Sequence, residues 1–157
     1  MLNIIKNILL LTGKEGSMIN SALDIAKYVI NKCTSEKYPI SNLQLQNILY
    51  YIQREFLQCG SIAFLESIEA WRFGVVVPEV YKQYCGFGAL PIRMKYIVNI
   101  KQENLKIMNP IVEKKRLLKL WDMGSDICCQ GKAWNLIYKN GLGEHEVIPQ
   151  ELIKSKG

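Results

Sequence analysis

Between Ser21 and Cys33 the apolar side chains Ala22, Ile25, Ala26, Val29, Ile30 and Cys33 recur at i, i+3, i+4, i+7 spacing. That period predicts a helix with one buried stripe, and Asn20 or Ser21 supplies a side chain able to cap its first turn. A second helix is marked more sharply. Pro39 stops the preceding chain, and Ser41 stands three residues before Gln44, the spacing of a capping box. It is expected to run to about Leu57, with Leu45, Ile48, Leu49, Ile52 and Phe56 facing inward. Gln46, Asn47, Tyr50, Gln53 and Arg54 then fall on or beside the outer face.

The period changes after Gly60. Two short apolar runs, Ile62 to Leu65 and Ile68 to Trp71, are split by Glu66-Ser67 and predict a brief hairpin or an extended excursion. Pro78 pre-sets the backbone for the first turn of a short helix over Glu79 to Cys85, ended by Gly86. Tyr96 to Ile100 is strand-like or irregular. Asn109-Pro110 reads as a cap and first-turn proline opening a helix whose core residues are Val112, Leu117, Leu118, Leu120 and Trp121, with Gly124 at its end. A helical stretch over Asp126 to Asn140, with a break at Gly131, and a last turn from Pro149 complete the pattern. The expectation is a mainly α, compact single-domain helical bundle with at most one short β-hairpin.

Composition narrows the class. The chain has 157 residues, 49% hydrophobic and 22% charged, which suits one packed domain. At this size folding hides roughly 70% of the unfolded surface, so neither a disulfide framework nor a structural metal is required. Five cysteines, none at C-x-x-C spacing, do not form the pattern of a secreted cross-linked protein, and a reducing cytoplasm is the expected compartment. The apolar N-terminal run MLNIIKNILLL is too short for the ~20 residues that span a bilayer. Gly13-Lys14-Glu15-Gly16 follows it instead of a small-residue cleavage site. Residues 1–17 are therefore an appendage to the domain at 18–157: either an upstream extension preceding a start at Met18, or an extra packing helix.

The charge is concentrated. Residues 93–119 hold Arg93, Lys95, Lys101, Lys106, Lys114, Lys115, Arg116 and Lys119 against Glu103 and Glu113, while the rest of the chain carries twelve of each sign, so the net charge of +6 arises in this one stretch. Such a surface attracts acidic partners. A solvated helix face with its connecting loop is the simpler reading, and Tyr96 is its one aromatic residue, which disfavours nucleic acid.

Catalytic constellations are missing from the pattern. His145 is the single histidine, which excludes a site built on two imidazoles, and no metal or cofactor is expected. It lies in the polar run Gly143-Glu144-His145-Glu146, where an exposed loop residue is a simpler identity than the base of a Cys-His dyad. Gly86-Phe87-Gly88 lacks the rest of a dinucleotide fingerprint, and no G-K-[ST] loop occurs. The carboxylate pairs read as surface or capping groups, and Cys128-Cys129 as small hydrophobes. What remains is a binding surface: Trp71, Arg72, Phe73, Tyr81, Tyr84 and Phe87 crowd into 17 residues, the residue types that anchor interfaces.

Three runs carry a family resemblance: Ser21-Ala22-Leu23-Asp24-Ile25-Ala26-Lys27-Tyr28; Pro39 to Tyr51, with L-x-L-Q-x-x-L-Y-Y; and Ile68 to Tyr81, with E-A-W followed by G-x-V-x-P-x-V-Y. In order and spacing they resemble the Panacea domain, the SocA-like, phage-associated GepA family. The likeness is strong from Ser21 to Pro91 and weaker from Asn109 to Leu152. A Thr-His-x-Glu element frequent in the family is missing ahead of Trp134, of which only the tryptophan is kept. The resemblance implies a helical antitoxin module with no enzymatic activity that neutralises a toxin from an adjacent gene by direct protein contact. The alternatives are a proteolytic adaptor delivering the toxin to an ATP-dependent protease, as one branch of that family implies, and a basic nucleic-acid-binding module, for which the charged stretch at 93–119 is the motive. The expected partner contacts are Trp71, Arg72 and Tyr81, then Gln46 and Tyr50.

Overall fold

The computed structural model describes residues 19–157, and the expectations for residues 1–17 and for the choice between Met1 and Met18 lie outside them. Helix α1 spans Ala22–Ser35, and Ser21 rather than Asn20 caps it, its Oγ accepting from the Asp24 N–H at 3.0 Å. Helix α2, Asn42–Gln58, begins with the full capping box: Ser41 Oγ accepts from Gln44 N–H, and Gln44 Oε1 accepts from Ser41 N–H. Then follow strands β1 (Glu69–Trp71) and β2 (Gly74–Val76), and helices α3 (Pro78–Tyr84) and α4 (Gln102–Lys115). Helices α5 (Leu120–Ile127) and α6 (Ala133–Tyr138), strand β3 (Glu146–Val147) and helix α7 (Gln150–Lys156) complete the order. The mainly helical architecture is the one predicted from periodicity.

Helix α2 is the axis of the molecule, packed against α1, α3, α4, α5, α7 and β2. This corrects the expected outer face. Gln46, Asn47, Tyr50 and Gln53 are all buried, and of the five residues assigned there only Arg54 keeps partial exposure. Apolar spacing marks the most hydrophobic stripe of a helix, but it does not report amides buried against loop backbone. Gln53 shows why such amides are tolerated inside. Its Oε1 accepts from the N–H groups of Ala63 and Phe64, and its Nε2 donates to the Phe64 carbonyl, so one side chain satisfies three backbone groups of the 61–68 segment.

Three further expectations are corrected. The hairpin does not pair the two apolar runs of 61–73; β1 pairs with β2, in register Glu69↔Val76, Ala70↔Val75 and Trp71↔Gly74, and 61–68 is irregular. Pro110 lies inside α4 rather than at its start, and Asn109 caps nothing; its Oδ1 accepts from the Tyr28 hydroxyl at 2.7 Å. Residues 116–119 break the helix expected through Gly124, and α5 restarts at Leu120 with Met123 and Ile127 inward. In that register Trp121 points out, 82% exposed, as does Leu117 in the connecting turn, so neither is a core residue.

Tyr96–Ile100 takes the irregular form of its two expected ones. The Asn31 side chain occupies both backbone groups of Tyr96, accepting from its N–H and donating to its carbonyl at 2.8 Å each, which leaves neither for a neighbouring strand. Strand β3 adds a third strand in the order β2-β1-β3, pairing Glu69↔Val147 and Ala70↔Glu146. The break expected at Gly131 falls within the turn 128–132 between α5 and α6, and the last helix follows Pro149 as expected.

Candidate functional site

The β1–β2 loop consists of Arg72 and Phe73 alone. Neither adopts a positive φ, so the primed turns common in two-residue hairpins are not used; the left-handed backbone is displaced to Gly74, at φ +132°. The loop is held from two sides. The Trp134 indole N–H donates to both carbonyls that flank it, Trp71 O at 2.9 Å and Gly74 O at 3.0 Å. The Arg72 N–H donates to Glu144 Oε1 at 3.0 Å. Thus the tryptophan kept in the C-terminal half is a clamp on the E-A-W/G-x-V hairpin.

Buried amides of α2 fix the other wall. Gln46 Oε1 accepts from the Val77 N–H at 2.9 Å, and its Nε2 donates to Asn42 Oδ1 at 2.9 Å. Asn42 Nδ2 reaches the Tyr81 carbonyl at 3.4 Å. This chain ties the start of α2 to the strand-to-helix junction at Pro78 and to α3. The L-x-L-Q, E-A-W and G-x-V-x-P-x-V-Y motifs therefore meet at one place.

Between these walls lies a groove of about 550 Å³, lined mainly by apolar surface; Trp71, Phe73, Val76, Tyr81 and Leu120 contribute to it, with Arg72, Cys85 and Glu144 also in the lining. Trp71 is partly buried and flanked by aromatic rings, Tyr81 at 5.0 Å and His145 at 4.5 Å between centroids, while its Nε1–H donates to Glu69 Oε2 at 2.8 Å. Phe73, at the loop tip, is 76% exposed, and the Arg72 guanidinium lies 5.4 Å from its ring centroid.

Of the five expected contact residues, the fold brings Trp71, Arg72 and Tyr81 into this groove and leaves Gln46 and Tyr50 beneath the surface. Gln46 braces the groove wall. Tyr50 is 1% exposed, and burial pushes its phenol up to about 12. Leu120, Cys85 and Glu144 are groove residues that the sequence pattern does not single out. Leu120 reads as core in a helix that begins at Pro110, and the shifted start of α5 is what turns it toward the groove. Glu144 and His145 reach the hairpin only because β3 docks on β1, the His145 N–H donating to the Ala70 carbonyl at 2.8 Å.

His145 is exposed, as expected, with its backbone at φ +66°. It packs on Trp71 and does not line the groove. Among the described residues no group of three or more His, Cys, Asp or Glu side chains is placed to hold a metal ion. No described helix is long and apolar enough to cross a membrane.

The basic stretch is not one patch. Arg116 pairs with Glu36, which also pairs with Lys32 at 2.7 Å, and Lys32 with Glu113 at 2.8 Å. Arg93, Lys95 and Lys101 lie on the irregular segment before α4, and Lys106, Lys114 and Lys115 on α4 itself.

Over 95 residues, 59% of this chain, the sequence is 35% identical to a protein named Antitoxin SocA from Caulobacter vibrioides (strain NA1000 / CB15N). The chain spans 48% of that relative's length. This similarity supports the SocA-like resemblance carried by the motifs. No protein-family model and no solved structure matches the chain.

Proposed function

We propose that this chain acts in the cytoplasm as the antitoxin of a two-gene toxin–antitoxin pair, and that the groove beside the Arg72–Phe73 turn is where the toxin docks. The observation that carries the reading is Phe73 itself. A large apolar side chain 76% exposed at the tip of a doubly clamped loop, next to a half-buried Trp and Tyr, has the composition of an interface anchor. Similarity to a protein named as an antitoxin supplies the biological class. The mechanism is steric neutralisation with no chemistry on a substrate.

The test is co-expression with the product of the adjacent gene, comparing the native chain with Phe73→Glu and Arg72→Ala. Both positions are exposed, so the variants are expected to fold. Phe73→Glu should abolish rescue and weaken binding by about 30-fold or more, the scale of a lost interface anchor. Trp71→Ala is less informative, because the ring also packs on Tyr81 and His145. A neighbouring product that is harmless alone, or equally toxic with and without this chain, refutes the reading. Toxin abundance in the same cells separates the two modes: it stays constant under steric neutralisation and falls under delivery to a protease.

A further inference from the structure

Helix α2 carries a second surface towards its other end. Arg54 on α2 and Lys106, Lys114 and Lys115 on α4 line a cleft of about 460 Å³ together with Ile107 and Ile111, a size within the range of ligand sites. Asn42 at the Trp71 groove and Arg54 at this cleft are twelve residues apart on one helix, about 18 Å along its axis. The two surfaces are separate.

The cleft is electrostatically unbalanced. None of its four cations takes part in an ion pair among the described residues. Lys115 Nζ sits 3.5 Å from the Tyr51 ring centroid and the Arg54 guanidinium 5.0 Å from the same centroid, so two cations share one ring. Arg54 Nε is buried with no hydrogen-bond partner. The carboxylate of Asp126 is engaged by the Tyr51 hydroxyl at 2.6 Å, and Glu55 is the acidic residue in the lining. Burial holds the Lys115 ammonium below its ordinary value, with Arg54 and Lys114 pushing the same way against the pull of Asp126.

We infer that this cleft binds an acidic peptide segment of a partner protein, its carboxylates meeting Arg54, Lys106 and Lys114 and an apolar side chain lying against Ile107 and Ile111. Three features select that occupant. Isoleucines interleaved with the cations at i, i+4 on α4 give an apolar side chain somewhere to go, which a phosphate backbone does not use. The one aromatic ring in the lining is already covered by cations, leaving no platform for a nucleobase. A second copy of this chain carries net charge +6 and brings no excess of carboxylate. The inference goes beyond the toxin-docking reading and rests on the cleft alone.

The test uses the full chain and a fluorescein-labelled peptide of Asp, Glu and Leu, with a Lys/Leu peptide and a thymidine oligonucleotide of equal length as controls, read by anisotropy. The acidic peptide should bind saturably at one site, and the double variant Lys106→Glu/Lys114→Glu, both positions exposed, should bind at least about tenfold more weakly. Phe73→Glu should leave this binding unchanged even where it abolishes toxin rescue, so the two readings fail independently. Absence of saturable binding, unchanged affinity in the double variant whose circular dichroism is native, or tighter binding of the oligonucleotide through the same lysines overturns the inference.

Discussion

Replacing Gln46 by alanine separates a residue that braces the groove from one that touches the partner. Gln46 is 1% exposed and holds two partners at once, the Val77 N–H and Asn42 Oδ1, both at 2.9 Å. Truncation leaves a backbone donor and an amide carbonyl unpaired where water does not reach, at about 1–3 kcal/mol each, or roughly 2–6 kcal/mol together. Against the ~5–15 kcal/mol that holds a domain together this is a large fraction. At ~2–4 °C per kcal/mol for a chain of this size, Tm should fall by roughly 4–24 °C. Thermal unfolding by circular dichroism, paired with a urea titration, reads the effect as a lower midpoint with an unchanged m-value. Gln46→Leu keeps the volume while removing both hydrogen bonds, so its loss isolates the polar contribution from the cavity. A Gln46→Ala protein whose Tm stays within about 2 °C of the native value while partner affinity collapses would refute the bracing role and make Gln46 a direct contact.

Three other outcomes follow from the geometry. Trp134→Phe removes the N–H that holds the Trp71 and Gly74 carbonyls and should cost about 1–3 kcal/mol by urea titration, with Phe73-dependent binding weakened as the loop loosens. With a maleimide probe at neutral pH, Cys59, Cys85 and Cys129 should label readily; Cys33, buried and pushed up to about 11 by that burial, and Cys128, likewise about 11, should resist, and toxin binding should protect Cys85 selectively. Hydrogen bonds from Lys32 and then Arg116 hold the Glu36 carboxyl below its ordinary value, so its contribution is present above the unfolded pKa and is lost as pH falls through the folded value. Because the Glu36 side chain is 40% exposed, solvent screening keeps the gain under about 1 kcal/mol, and Glu36→Gln should differ from the native chain in stability near neutral pH but converge with it in acid.

Local chemistry is legible in the sequence, since a cap or a periodic stripe acts within a few residues of itself. The Ser41–Gln44 capping box, the stripe of α1, the proline-led α3 and the turn at Pro149 all form where the residues indicate. The aromatic surface is legible as well, because Trp71, Arg72 and Tyr81 lie within one hairpin and the helix that follows it. Tertiary structure decides everything that depends on what lies opposite. Helix α2 is packed by six other elements, so its buried glutamines Gln46 and Gln53 brace neighbouring backbone, and Asn31 takes the hydrogen bonds that a strand at Tyr96 would need. The docking of β3 brings Glu144 and His145 to a hairpin some seventy residues earlier in the chain. Such pairings are set by which backbone groups and faces remain unsatisfied once the core closes, and that is a property of the assembled chain, not of any window along it.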